Sequence, residues 1–107
     1  MLLLLDENIP KRLKKDFPGH EVLTINEHGW NGLKNGLLLQ KLLENNFSAL
    51  ITFDKNLQHQ QNFKKYPVAV FVLNAPINRY SVLTKLTPKI VTFLNNPPLT
   101  VGTIEIK

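Results

Sequence analysis

The stretch "LLLLDENIPKRL", residues 2–13, runs four leucines straight into two carboxylates and a carboxamide, with a proline two residues beyond the carboxamide. A strand with one wet face alternates apolar and polar side chains, so an unbroken apolar run reads as a central strand covered on both faces. Covering it takes helices, and Pro10 fits the first turn of one, where its missing N–H costs nothing. Ile9, Leu13 and Phe17 then fall on one side at a spacing of four, while Lys11, Arg12, Lys14 and Lys15 point elsewhere. Asp6 and Glu7 stand where the buried strand surfaces.

The remaining chain repeats the pattern. "PGH" at 18–20 ends the first helix, "EVLTI" at 21–25 reads as a second strand, and "EHGWNGLKNG" at 27–36 reads as a loop. Asn35 is the expected N-cap of a helix carrying Leu37, Leu38, Leu42 and Phe47, which Asn45 and Asn46 end. "SALIT" at 48–52 is a third strand; the polar connection after it is expected to hold a short helix starting near Leu57. "VAVFVL" at 68–73 is a fourth, buried strand. The helical pattern over 79–94 must kink or split at Pro88, and "TVGTIEI" at 100–106 reads as a closing edge strand. Strands alternating with helices predict an α/β domain with a mainly parallel central sheet and helices on both faces, occupying 1–107 as one unit.

Composition narrows the function. The absence of cysteine excludes disulfides and thiolate metal sites, and a reducing cytoplasm is the default expectation. Met1 leads into a short leucine run that meets Asp6 at once, unlike a secretory leader, and no apolar run approaches the ~20 residues needed to span a bilayer. The net charge is +5 and the pI about 9.6. An acidic spot on so basic a surface suits a polyanion that needs a cation at one place.

Asp54 stands two residues after the end of the third strand. If that strand neighbours the first, which a right-handed crossover allows, Asp6 and Asp54 meet at the carboxyl edge of the sheet, where such folds bind ligands. Clustered carboxylates call for a cation, and hard oxygen donors suit Mg²⁺ or Mn²⁺. Such an ion orients water on a phosphodiester. The plainer readings are an Asp6-Glu7 pair favouring a helix dipole and a simple turn at Asp54-Lys55-Asn56. His20, His28 and His59 match no zinc spacing, Ser48 and Ser81 sit in no nucleophile elbow, and no Gly-rich phosphate loop is present. Trp30 reads either as a base-stacking ring or as an anchor pinning its loop to the core. The amides of "LQHQQN", 57–62, read either as nucleotide contacts or as a solvated helix face.

Three stretches, "DENIP" at 6–10, "GWNGLKNG" at 29–36 and "TFDKNLQHQQN" at 52–62, together resemble the DUF5615 family of small PIN-like proteins over nearly the whole chain. The resemblance implies a PIN-like three-layer α/β/α sandwich, a metal-dependent ribonuclease ancestry, and a role as the toxin of a toxin-antitoxin pair beside a small DUF433-type helix-turn-helix antitoxin. By position, Asp6 and Asp54 correspond to the catalytic, metal-binding acids, with Asn8, Asn35 and Asn56 shaping the pocket. Where many relatives carry a third acid after "NG", this chain has Leu37. Glu44 shares its helical face but stands ~10 Å along the axis, so Glu7 is the candidate third ligand.

The leading expectation is an Mg²⁺- or Mn²⁺-dependent endoribonuclease, with Lys11, Lys14, Lys55, Lys64 and Gln61 drawing in the RNA. Besides RNA and the antitoxin, a second copy in a homodimer is a candidate partner; a membrane is not. A rival keeps the fold and drops the chemistry, leaving a module that binds RNA or protein. A receiver-like signalling domain would share the acids, but Lys107 is the last residue and "VLNAP" puts no hydroxyl after the fourth strand.

Overall fold

The opening leucines form β1 (Leu2–Leu5), and Leu3, Leu4 and Leu5 are wholly buried in the computed structural model, which describes residues 1–55 and 63–107. β1 lies between β2 (Glu21–Thr24) and β3 (Ala49–Thr52), and β4 (Ala69–Leu73) and β5 (Gly102–Ile106) continue the sheet beyond β3. The order is β2-β1-β3-β4-β5, and each neighbouring pair is parallel. Leu4 stands in register with Leu23 on one side and Leu50 on the other.

Because side chains alternate along a strand, the apolar runs feed two cores. Leu3, Leu5, Ala49, Ile51, Ala69, Phe71 and Leu73 face one layer, made by a 3₁₀ helix (Lys11–Asp16), α3 (Tyr80–Leu83) and α4 (Thr87–Leu94). Leu4, Leu50, Val70 and Val72 face the other, where α1 (Ile25–His28) and α2 (Asn35–Glu44) supply Ile25, Leu38, Leu39 and Leu42, with Phe47 following. The α/β class, the parallel sheet and the covering of both faces are as the sequence reading expects.

Several local features differ from that reading. The segment after Pro10 is a 3₁₀ helix, not an α-helix. It is six residues long and held between Pro10 and Pro18, a short connector of the kind in which 3₁₀ geometry is common, and Ile9, Leu13 and Phe17 are buried as expected. β2 stops at Thr24, whose hydroxyl accepts from the Glu27 amide at 3.2 Å and so starts α1 at Ile25, the last residue of the expected strand, from where it runs into the expected loop. Gly29, at φ 69°, closes that turn in the left-handed conformation. The N-cap of α2 is Lys34, one residue earlier than expected, because its carbonyl takes the first helical bond, from Leu38 N at 2.9 Å. Leu37 is 43% exposed, so the buried stripe runs through Leu38, Leu39 and Leu42 instead. At Pro88 the chain splits into α3 and α4, and the proline sits in the first turn of α4. The helix expected near Leu57 lies outside the described residues.

The connections β1→β2 and β4→β5 step in opposite directions across the sheet with their helices on the same face, so they have opposite hand. One of them departs from the right-handed rule for parallel strands. The short 3₁₀ helix leaves room on that face for α3 and α4, and Asp16 ties the two connections together. Its carboxylate accepts from the Tyr80 hydroxyl at 2.9 Å, the Thr84 hydroxyl at 2.5 Å and the Thr87 hydroxyl at 3.0 Å. Asp16→Ala is expected to cost about 2 kcal/mol, since hydrogen bonds to a charged acceptor are worth about 1.5–3 kcal/mol and Thr87 retains only the Thr84 carbonyl. Urea unfolding of the two proteins measures it.

Candidate functional site: an acidic cleft at the carboxyl end of the sheet

After β1 the chain turns first to β2 on one side, and later to β3, β4 and β5 on the other. This reversal opens a crevice beyond the carboxyl ends of β1 and β3. Asp6 is the first residue out of β1, and its amide still extends the ladder to the Ile51 carbonyl at 2.9 Å. The half-buried carboxylate is held on two sides: Oδ1 accepts from the Glu7 amide at 2.8 Å and Oδ2 from the Thr52 hydroxyl at 2.6 Å. The same Thr52 hydroxyl accepts from the Asp54 amide at 3.0 Å, a tight local turn that sets Asp54 just past the end of β3. Thr52 is wholly buried and links the two acids.

Asp6, Glu7, Asn8 and Asp54 line one cleft of about 230 Å³ together with Ile25, Trp30, Gly32, Leu33 and Leu38. A second hollow of about 320 Å³ shares Asp6 and Glu7 and is lined further by Ile9, Lys11, Thr24, Asn26 and Glu27. Burial pushes the Asp6 carboxyl above its ordinary value; the donated bonds from Thr52 and Glu7 oppose this, and the charges of Glu7 and Asp54 add to the rise. Two acids from distant segments therefore sense one another at one edge of the sheet.

The other expected site residues separate into groups. Glu7 reaches across the cleft mouth, where Oε2 accepts from the Gly32 amide at 3.4 Å. Asn8 lines the cleft and its carbonyl accepts from the Asn78 side chain at 2.5 Å. Asn35 opens α2. Lys11 borders the second hollow, Lys55 is exposed next to Asp54, and Lys64 is exposed in the segment before β4. Lys14 is engaged elsewhere: its ammonium lies 2.7 Å from Glu27 Oε1 and holds that carboxyl below its ordinary value. Asn56 and Gln61 lie outside the described residues. Thr52, Ile25, Leu33 and Leu38 join the site without being among the residues the sequence reading assigns to it; "TFD" at 52–54, a threonine two residues before an acid at a strand end, is the signal that finds the first of them.

Among the described residues no three His, Cys, Asp or Glu side chains stand together as a metal-binding group. The oxygen donors present, Asp6 and Asp54, fit Mg²⁺ or Mn²⁺, ions commonly held by one or two carboxylates with water and substrate phosphate completing the shell. Burial raises the Asp6 pKa and the neighbouring Glu7 and Asp54 charges add to it, and a cation would relieve that cost. No protein-family model matches the chain, and neither a curated protein nor a solved structure matches it. No helix among the described residues is long and apolar enough to cross a membrane.

The raised Asp6 pKa has a consequence for stability. Below its ordinary value of 3.8 the group is protonated in both states, and its relative contribution to stability is lost as pH rises through the higher folded value. Asp6→Asn is therefore expected to raise Tm at pH 7 and to lose that advantage below about pH 4. Each 1 kcal/mol moves Tm by about 4–8 °C in a chain of this size, so thermal melts at the two pH values resolve it.

Proposed function

We propose that the chain is a PIN-like, metal-dependent endoribonuclease that hydrolyses RNA phosphodiesters, acting as the toxin of a type II toxin-antitoxin pair. The observation that carries this reading is the shared cleft: Asp6 from the end of β1 and Asp54 from beyond β3 line it together, joined through the Thr52 hydroxyl. The motif resemblance to the DUF5615 family and the net charge of +5 support it from the side of the sequence.

In this reading Asp6 and Asp54 hold Mg²⁺ or Mn²⁺. When bound, the ion supplies a Lewis acid for the phosphoryl oxygen and activates water. The chain's own residues do the rest. Thr52 fixes the orientation of the Asp6 carboxylate, and its own burial keeps that hydroxyl from turning to solvent. Glu7 restrains the 29–33 loop through Gly32 and borders the ion's surroundings. Lys11 and Lys55, one in the adjoining hollow and one beside Asp54, attract the phosphate backbone, with Lys64 farther along the chain. A helix-turn-helix antitoxin would be encoded beside such a toxin.

The second reading, a module that binds RNA or protein without cleaving it, is favoured by Leu37 in place of an acid and by the absence of a three-carboxylate group among the described residues. The strand order also suits a receiver-like domain, but Asn74 after β4 carries no hydroxyl and Lys107 lies 3.4 Å from Glu105. Cleavage of mixed RNA with Mn²⁺ by wild type, Asp6→Asn and Asp54→Asn decides between nuclease and binding module. Calorimetric titration with Mn²⁺ distinguishes them again, since a pure binding module takes up no ion.

A further inference from the structure

The cleft that holds the acids has an apolar wall that phosphodiester hydrolysis does not use. Ile25 and Leu38 are buried there, and Trp30 and Leu33 are half-buried. The indole of Trp30 is already fixed: it stacks on the His28 ring with centroids 4.4 Å apart and planes 22° apart, and Phe47 meets it edge-on at 6.0 Å. The loop carrying it is tied to the acids through the Gly32 amide and Glu7. An aromatic ring held rigid by a second ring, at the wall of a polar cleft, is a preorganised stacking platform.

We infer that this cleft seats one unpaired nucleobase of a single-stranded nucleic acid, stacked on Trp30 beside the phosphate that Asp6 and Asp54 serve. The size agrees: about 230 Å³ is less than the ~300 Å³ at which pockets for drug-sized ligands begin, enough for one base and too little for a base pair. A base inside a duplex must leave its stack to enter, so the site selects single strands. Among the described lining residues Asn8 alone carries a carboxamide, and the wall opposite is apolar, so the stacking face is the larger contact offered to a base. The inference rests on the nuclease reading and deepens it by naming the form of the substrate and assigning Trp30 its selectivity.

The chain has a single tryptophan, so its emission reports on this wall alone. The test titrates the full chain in Mg²⁺ with a single-stranded phosphorothioate RNA, which resists hydrolysis, following Trp30 fluorescence and, separately, the anisotropy of an end label. Quenching is expected to track binding. The same strand paired with its complement should need at least ~10-fold more material for half-effect, and an abasic strand should bind without quenching. Leu33→Glu, which puts a charge on the wall and keeps the tryptophan, should weaken quenching by the single strand more than it weakens abasic binding. Binding with unchanged emission, or equal quenching by the abasic strand, overturns the stacking site and leaves the nuclease reading to the cleavage assay. No binding by either readout overturns both.

Discussion

Substituting Asn for Asp6 or Asp54 is expected to lower Mn²⁺-dependent RNA cleavage by at least ~100-fold. Loss of a partner that merely orients a metal ligand already costs about 10–100-fold, and a ligand itself contributes no less. Each substitution keeps the size of the side chain and removes one negative charge from a pair that lines one cleft. Asn at position 6 keeps its one oxygen for the Glu7 amide and turns its NH2 group to the Thr52 hydroxyl, which can accept as well as donate, so the fold is retained and the loss is chemical. The melts described for Asp6→Asn separate the two effects: stability rises at pH 7 while activity falls. A matched control is Glu44→Gln, since Glu44 is exposed at the far end of α2 and lines neither hollow. Equal cleavage by all four proteins would remove the acids from the mechanism.

Phe71→Ala is expected to cost about 3–5 kcal/mol, lowering Tm by about 12 °C or more. Phe71 is wholly buried in β4, in the core beneath α3 and α4. Removing its ring takes away both its transfer free energy and its contacts, and the sheet behind it cannot collapse into the space. Phe93 provides the internal comparison. It stands 5.8 Å from Phe71, centroid to centroid, but is 41% exposed on α4. Phe93→Ala should therefore cost less than half as much, because solvent already reaches its ring. Denaturant titration of both variants tests whether burial or the aromatic pair sets the cost; equal losses would assign it to the pair. Since a small domain holds only about 5–15 kcal/mol in total, Phe71→Ala approaches the limit of folding.

The strands were legible because their signal is local. Leu2–Leu5 and Ala69–Leu73 are continuous apolar runs, and an apolar run without alternation can persist only where both faces are covered. The split at Pro88 was legible for the same reason, since a proline ring acts on its own chain. What escaped was also local in one case: "TINE", 24–27, is a threonine followed three residues later by a glutamate, the pattern that starts α1. The β-branched residues before it, Val22, Thr24 and Ile25, read as strand and masked the cap. The 3₁₀ form of Lys11–Asp16 was not legible, because its apolar spacing suits an α-helix and the difference lies in which carbonyl each amide reaches.

At the cleft, Asp6 and Asp54 follow from their positions at strand ends, Asn8 from the family resemblance and Glu7 as a candidate third ligand, while Trp30 has two readings. The structure shows the anchor, with the ring packed on His28 and Phe47 against the core, and places the same ring at the wall of the cleft. The Glu7 contact with Gly32 and the engagement of Lys14 by Glu27 had no sequence signature, since each unites residues whose spacing carries no period.

By itself, then, the sequence determined which segments are strands, that both sheet faces are covered, and that acids emerge where strands end. Those properties follow from side-chain periodicity and backbone chemistry, which act within a few residues. Only the tertiary structure decided that β3 lies against β1, that Thr52 bridges Asp6 and Asp54, and that α3 and α4 share a face with the 3₁₀ helix. Strand order is chosen by how whole layers pack, a sum over contacts between distant parts of the chain that no single window contains.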